Sequence, residues 1–186
     1  MKKILGLVLF TSLLLSSTVT FKGEEVTLNS NGLKVGTDAP VFTAVNKDFR
    51  EVTVGGEKDH VQVIAFIPSF DSDTCKLETM AFNRKVSEMK NVDVMVISKD
   101  LPFSLGRFHH ANKIKNITTL SDYKDANNVL RYGTTISAPV FLEGFFGRVV
   151  YVVDTNGKIV YREIVKEITD EPDYDKIISV VNSLKN

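Results

Sequence analysis

Apolar residues in this chain form continuous runs that alternate with segments of helical spacing. The runs at 60–67 and 92–98 are rich in β-branched residues, as in strands that are buried on both faces of a sheet. Between them, the segment 75–90 is predicted to be a helix, because Leu77, Met80 or Ala81, Val86 and Met89 recur at helical spacing. Candidate caps precede it at Asp71, Ser72, Asp73 and Thr74. The order strand, loop, helix, strand predicts a βαβ unit.

The remaining pattern extends this alternation in both directions. Two β-rich runs around Lys22 and Gly23 predict a hairpin in residues 18–29. Residues 148–165 predict two alternating strands joined by a turn at 154–157. Helices are predicted at 101–113, at 123–133, where Gly133 closes the helix, and at 171–185. The last helix is amphipathic, with Ile177, Ile178, Val181 and Leu184 on one face. A strand with a turn is predicted at 117–122. With no repeat and no interior linker, the sequence predicts a single α/β domain.

The first 17 residues have a different pattern, with two lysines, an apolar run from Ile4 to Phe10, a second run at 13–15, and small residues at the end. This layout is typical of a secretory signal, and the run is shorter than the roughly 20 residues that span a bilayer. The alternative is a buried first strand or helix. We therefore expect a signal peptide at 1–17 and a folded domain at 18–186, with no membrane span once the leader is removed.

Composition narrows the possible functions. The 186 residues are 43% hydrophobic, enough for a sizeable core, and Lys plus Arg equal Asp plus Glu at 23 each. The zero net charge signals no basic face for nucleic acid. A single cysteine, Cys75, supplies neither an internal disulfide nor a Cys-x-x-Cys pair. Any redox chemistry at this sulfur therefore needs a thiol from another molecule.

Cys75 lies where a predicted strand ends and a predicted helix begins, a position at which ligands gather in open α/β sheets. Amide groups of the first helical turn and the helix dipole favour an anion there. Together with a nearby guanidinium, such a position favours a thiolate over a thiol. The Ser72 hydroxyl is close enough in sequence to reach the same sulfur, and Pro68 ends the strand and removes one backbone donor.

The spacing of Pro68, Ser72 and Cys75 resembles the peroxiredoxin motif Pro-x-x-x-Thr/Ser-x-x-Cys. The resemblance extends from about residue 18 to 184. Over this range the chain is similar to the thiol peroxidase subfamily in "VGTDAPVFTAVNKD", "ISKDLPFSLGRF", "FGRVVYVVDTNGKIV" and "EITDEPDYDKII". It implies a thioredoxin-like fold of the peroxiredoxin type with an added N-terminal β-hairpin. It leaves residues 1–17 outside the match, in keeping with an added leader.

The resemblance also implies roles for individual residues. Cys75 corresponds to the peroxidatic cysteine, which attacks the terminal oxygen of a hydroperoxide, and Pro68 shields its sulfur. Ser72 takes the hydroxyl role, where the subfamily usually has Thr, so the methyl that stiffens χ1 is lost. Arg148 corresponds to the arginine that stabilises the thiolate and the leaving oxygen. Two alternatives remain open: Ser72 as a helix cap only, and Arg148 as a surface residue paired with an acid.

One departure from the subfamily stands out. The position directly after "RF", which normally carries the resolving cysteine, is His109 here. Histidine forms no disulfide, so a Cys75 sulfenic acid would have no internal thiol with which to condense. A metal site at His109 and His110 is disfavoured, because adjacent histidines on a helix point about 100° apart; a solvated helix face is expected instead. We expect no cofactor and no metal.

These observations favour a thiol-dependent peroxidase that reduces hydrogen peroxide and organic hydroperoxides, with an external thiol, such as a thioredoxin-like protein, as reductant. Family resemblance also implies a homodimer. The alternatives are a redox sensor that forms mixed disulfides through Cys75 and a non-catalytic binding protein. An exported protein lies beyond cytosolic thioredoxin, so its reductant would be an exported thioredoxin-like protein or a small thiol. A cytoplasmic location, with the leader uncleaved, is the alternative.

Overall fold

The computed structural model describes residues 16–89, 91–124 and 129–184. Most of the leader predicted at 1–17 lies outside these residues. The strands are β1 (Thr18–Phe21), β2 (Glu24–Leu28), β3 (Phe42–Asn46), β4 (Glu51–Val54), β5 (Val61–Phe66), β6 (Val92–Ser98), β7 (Thr118–Ser121), β8 (Ile136–Ala138), β9 (Val149–Val153) and β10 (Ile159–Ile164). The helices are α1 (Asp73–Lys85), α2 (Pro102–Asn112) and α3 (Tyr174–Ser183), with short 3₁₀ turns between some elements.

The main sheet has seven strands in the order β10-β9-β5-β6-β7-β3-β4. Its centre is the predicted βαβ unit, because β5 and β6 run parallel and α1 connects them. α2 connects β6 to the parallel strand β7, and β9 pairs with β5 in the antiparallel direction. A smaller sheet, in the order β1-β2-β8, contains the N-terminal hairpin. The expected α/β fold with an added hairpin is therefore confirmed.

Both faces of the central strands of the main sheet are buried, so these strands are mostly apolar, with Gln62 as a buried polar residue in β5. In β5, Ile64 and Phe66 pack on one side in a cluster that includes Val19 and Val26 of the hairpin. The alternate residues of β5, at 61, 63 and 65, pack on the other side against the helices. This double burial explains the nearly continuous apolar runs that predicted β5 and β6.

The predicted N-terminal hairpin is present, and its turn has two residues. Phe21 pairs with Glu24, so only Lys22 and Gly23 form the loop. Both have positive φ, 54° and 83°, which is the type I′ geometry that matches the twist of hairpin strands. The strands predicted at 148–165 and the C-terminal amphipathic helix are also present, with Ile177 and Val181 of α3 fully buried.

The structure corrects the sequence-based boundaries in two places. α1 begins at Asp73 and ends at Lys85, where a 3₁₀ turn replaces the predicted last turn. Leu77, predicted on the apolar stripe, is 53% exposed, whereas the buried face of α1 holds Cys75 and Glu78. The helix predicted at 123–133 lies partly outside the described residues; what is described is a 3₁₀ turn at 130–132, closed by Gly133 in the left-handed region as predicted.

Candidate active site

Strand pairing explains why residues 73 positions apart meet at one site. β5 and β9 are antiparallel neighbours, and Phe66 lies opposite Val149. The chain leaving β5 towards Pro68 therefore passes the start of β9, which Arg148 immediately precedes. α1 begins a few residues later, and its first turn brings Cys75 to the same edge of the sheet.

Cys75 is the third residue of α1, and Ser72 is the N-cap. The Cys75 amide donates to the Ser72 Oγ at 3.4 Å, and the Cys75 carbonyl accepts from the Thr79 hydroxyl at 2.7 Å. Asp73 lies in the first turn, where its negative charge interacts favourably with the positive end of the helix dipole. The Cys75 side chain is fully buried, and its sulfur is a free thiol. The helix therefore fixes a buried thiol at its N-terminal end.

Arg148 supplies the cation that faces this thiol. Its Nη2 lies 3.4 Å from the Cys75 Sγ and 2.8 Å from the Ile168 carbonyl oxygen, and its Nε also donates to that carbonyl at 3.0 Å. The side chain is 1% exposed. Burial alone would lower the pKa of Arg148, but Glu78 and Cys75 outweigh burial and raise it. A permanently charged guanidinium is therefore aimed at the sulfur.

Glu78 is the site residue that the sequence did not reveal. It lies one helical turn after Cys75, is fully buried, and forms an ion pair with the Nη1 of Arg148. Burial raises the pKa of Glu78 to about 7, although Arg148 acts in the opposite direction. Within the described part of the chain its Oε1 has no hydrogen-bond partner. The spacing of three from Cys75 is the sequence signal that could have placed it on this face.

Pro68 and Ser72 line a cavity beside Arg148. Its volume is about 470 Å³, and Arg148 forms part of its wall. Apolar side chains of Phe21, Leu142, Phe145 and Ile168 line it together with polar residues of the loop before α1. Ser72 is exposed, and its hydroxyl accepts from the Cys75 amide as the helix cap. The cavity has room for a hydroperoxide and for an organic substituent on it.

Asp100, which follows β6, holds the loop between β5 and α1 through hydrogen bonds. Its carboxylate accepts from the Ser69 hydroxyl at 2.9 Å and from the Phe70 amide at 2.7 Å. Ser98 donates to the same carboxylate at 2.7 Å. Phe70 itself packs on Phe108 of α2, with ring centroids 5.0 Å apart. These contacts hold the loop that covers Cys75.

His109 lies away from these contacts, on α2. It is half-buried, and its Nε2 hydrogen bonds with the Thr119 Oγ1 at 2.7 Å, so the predicted solvated face is wrong for this residue. His110, by contrast, is exposed. Burial, followed by the charge of Lys47, lowers the pKa of His109, whereas Asp48 acts in the opposite direction.

Two negative findings concern only residues 16–89, 91–124 and 129–184. No group of three or more His, Cys, Asp or Glu side chains there is arranged to hold a metal ion. None of the helices in these segments is both long and apolar enough to cross a membrane.

A family model described as Redoxin matches residues 34–178, so the chain belongs to the Redoxin family. Within it, the chain is a peroxiredoxin of the thiol peroxidase type. The thiol peroxidase of Aquifex aeolicus is 42% identical over 91% of this chain and 99% of that protein. The thiol peroxidase of Bacillus subtilis is 39% identical over 89% and 97%, respectively.

Solved structures agree with this assignment. A peroxiredoxin-like protein from Aquifex aeolicus superposes with a TM-score of 0.86 at 42% identity, covering 91% of this chain and 99% of that one. A thiol peroxidase from Chromobacterium violaceum gives a TM-score of 0.80 at 22% identity, covering 89% and 95%, which is evidence for the fold. The thioredoxin-like fold of the peroxiredoxin type, expected from the sequence, is confirmed.

Proposed function

We propose that this protein is a thiol peroxidase that reduces hydrogen peroxide and organic hydroperoxides and so serves antioxidant defence. The observation that carries the proposal is the 3.4 Å contact between the Arg148 Nη2 and the Cys75 Sγ, with Arg148 in the wall of a cavity. The thiol peroxidase names of relatives about 40% identical over most of the chain support the same reaction.

In the first step the Cys75 thiolate attacks the terminal oxygen of the hydroperoxide. An S–O bond forms, the O–O bond breaks, and the leaving oxygen takes a proton to give an alcohol or water. Sulfur is oxidised to a sulfenic acid as the peroxide is reduced. Negative charge moves from sulfur towards the leaving oxygen, and the Arg148 guanidinium stabilises it along that path.

Ser72 and Pro68 shape the approach of the peroxide. Ser72 keeps its hydroxyl at the helix start, where it caps the Cys75 amide and faces the cavity that the peroxide enters. Pro68 contributes a wall without a backbone donor, which limits the polar groups that compete for the sulfur. Both residues therefore act on orientation and on shielding of the thiolate.

Resolution uses a thiol from another molecule, because Cys75 is the only cysteine. The sulfenic acid condenses with this thiol, releasing water and forming a mixed disulfide, and a second thiol then restores Cys75. Cys75 is fully buried, so this step requires the loop before α1 to open. A thioredoxin-like protein or a small thiol is the reductant.

Turnover distinguishes this enzyme from a redox sensor, which shares only the first step. Purified protein is supplied with hydrogen peroxide and either dithiothreitol or a thioredoxin system, and peroxide loss is followed over many equivalents. We expect continued consumption that a Cys75→Ser variant abolishes. A single stoichiometric burst that stops at a stable mixed disulfide would instead identify a sensor, and no burst at all a binding protein.

We also infer a homodimer, as the family resemblance implies. Phe49, Leu101 and Phe103 are each more than half exposed, and the Phe49 and Phe103 rings pack 4.8 Å apart. We assign this exposed apolar surface to contact with a second copy of the chain. Light scattering should give a dimer mass for the wild type and a monomer mass for Phe103→Glu; unchanged mass would exclude this face.

Export is the remaining part of the proposal. The charged start and apolar run of residues 1–17 support a cleaved leader, so the mature protein would act outside the cytoplasm. Fractionation with mass determination of the N-terminus tests this. A protein that begins near residue 18 in the exported fraction supports export, whereas a full-length chain in the cytoplasm supports the alternative.

A further inference from the structure

The carboxylate of Glu167, in the segment between β10 and α3, is surrounded by hydrogen-bond donors. Its Oε2 accepts from the Thr20 hydroxyl at 2.9 Å and the Gly23 amide at 3.0 Å. Its Oε1 accepts from the Lys22 amide at 3.0 Å and from the Thr169 amide and hydroxyl at 3.0 and 2.8 Å. Burial acts in the opposite direction, yet the hydrogen bonds from Thr169, Gly23 and Thr20 lower the pKa of Glu167 to about 2.

This carboxylate joins two segments that lie more than 140 positions apart. Lys22 and Gly23 form the turn of the N-terminal hairpin, and their positive φ values turn both amides towards Glu167. The neighbouring backbone follows the same path, since the Thr20 amide donates to the Lys166 carbonyl and the Ile168 amide to the Thr20 carbonyl, each at 2.7 Å. Glu167 therefore fixes the hairpin turn against residues 166–169.

The same segment holds the catalytic groups in place. The carbonyl of Ile168, next to Glu167, accepts from the Nε and Nη2 of Arg148, and that Nη2 is the atom that faces Cys75. The carbonyl of Thr169 accepts from the hydroxyl of Thr74, the residue before Cys75, at 3.0 Å. Both carbonyls can aim these side chains only while the segment stays in place.

The hairpin end of this connection forms a wall of the active-site cavity. Phe21 and Lys22 line it, beside Ile168 and Thr169. A shift of the hairpin would thus widen the cavity, which has room for the substituent of an organic hydroperoxide. The smallest substrate, hydrogen peroxide, makes no use of that wall.

We propose that Glu167 is a positioning residue, which clamps the N-terminal hairpin to residues 166–169 and thereby fixes both the direction of Arg148 and the wall that organic hydroperoxides contact. The proposal rests on the role proposed above for Arg148. Small displacements of groups that stabilise a transition state have large effects on rate, so loss of the clamp lowers reactivity without removing any reacting group.

The test measures single-turnover oxidation of Cys75 by rapid quenching and mass spectrometry, with hydrogen peroxide and with cumene hydroperoxide. For Glu167→Ala we expect the rate constant with hydrogen peroxide to fall about tenfold. The constant for cumene hydroperoxide falls further, because the wall is also displaced. Glu167→Gln keeps one acceptor oxygen and should lie between Glu167→Ala and the wild type.

Asp154→Ala is the matched control. Asp154 also holds a turn through its carboxylate, which accepts from the Lys158 amide at 2.8 Å, but it lies at the other end of β9 from Arg148. It should lower stability while leaving both rate constants at the wild-type value. If Glu167→Ala loses stability as this control does and keeps both rate constants, Glu167 is a structural residue and the proposal is wrong.

Arg148→Lys in the same assay separates failure of this inference from failure of the proposed function. A slow Arg148→Lys variant beside a fast Glu167→Ala variant would overturn only the clamp. A fast Arg148→Lys variant would overturn the role of Arg148, and with it the clamp. We expect both variants to be slow, with only Glu167→Ala changing the preference between the two peroxides.

Discussion

Arg148 and Glu78 form an ion pair in which both side chains are buried, at 1% and 0% exposure. The same guanidinium lies 3.4 Å from the Cys75 sulfur, so one cation faces two acids. Against the effect of burial, Glu78 and Cys75 both raise the pKa of Arg148. The contact with Glu78 therefore keeps Arg148 in place and charged beside the thiol.

The first prediction concerns Arg148→Ala. Without the guanidinium, the thiolate and the leaving oxygen both lose their facing cation. We expect the rate constant for oxidation of Cys75 by hydrogen peroxide, measured by rapid quenching, to fall by about 10²–10³. The Cys75→Ser variant, which lacks the reacting sulfur, supplies the zero-rate baseline. An unchanged rate constant would remove Arg148 from the site.

A pH dependence follows from Glu78. Its pKa is raised from 4.5 to about 7, mainly by burial, and Glu171 and Glu163 add to the effect while Arg148 opposes it. The folded protein therefore binds this proton more tightly than the unfolded chain does. The contribution of Glu78 to the free energy of unfolding is fully present below about pH 4.5 and is lost as the pH rises through about 7.

Glu78→Gln tests this dependence, because glutamine keeps the shape and does not titrate. Denaturant unfolding of both proteins at several pH values should show that the free energy of unfolding of the wild type falls relative to that of the variant as the pH rises from about 4.5 to about 7. A constant difference across the window would mean that Glu78 remains ionised throughout.

Asp100 is predicted to control access to Cys75. Its carboxylate holds Ser69 and Phe70, so Asp100→Ala should let the loop open more often. We expect iodoacetamide to alkylate Cys75 about tenfold faster, since loss of charge-assisted hydrogen bonds of this kind costs more than 1 kcal/mol. Asp48→Ala, on an exposed turn away from this loop, is the control. Equal alkylation rates in all three proteins would assign loop closure to other contacts.

His109 offers a gain-of-function prediction. It occupies the position at which the subfamily resemblance places the resolving cysteine, so His109→Cys should convert the protein to an internally resolving enzyme. Peroxide treatment should then give an intramolecular disulfide, seen as loss of both thiols without mixed disulfides. The Cys75→Ser/His109→Cys double variant should form none. Persistence of a sulfenic acid in His109→Cys would show that α2 does not bring this position to Cys75.

The sequence predicts those parts of the fold that depend on local chemistry. The hairpin turn follows from Lys22 and Gly23, and the βαβ unit follows from two apolar runs on either side of a capped helix. The sequence therefore predicts the positions of the hairpin and of the βαβ unit to within a few residues. The placement of Cys75 at a helix start is also local, because Ser72 caps the first turn. The family resemblance then implied a role for Arg148, which the structure brings to the sulfur.

The rest depends on contacts between distant segments. A polar residue such as Glu78 is assigned to a solvent face by periodicity, yet it is buried beside Arg148, which lies just before β9. Leu77 is exposed, since the site occupies the inner face of α1. The partner of Arg148 at Ile168 is a backbone carbonyl, which carries no side-chain signal. The roles of Asp100 and Glu167 likewise require the strand order.

The most direct test of the central claim is mass spectrometry of the intact protein after one equivalent of hydrogen peroxide, then after added thiol and a fresh dose. The account predicts a rapid gain of one oxygen atom that maps to Cys75, reverses with thiol, and recurs as peroxide continues to disappear. A Cys75 that gains no oxygen while the protein remains folded would contradict the account, and the non-catalytic alternative would replace it.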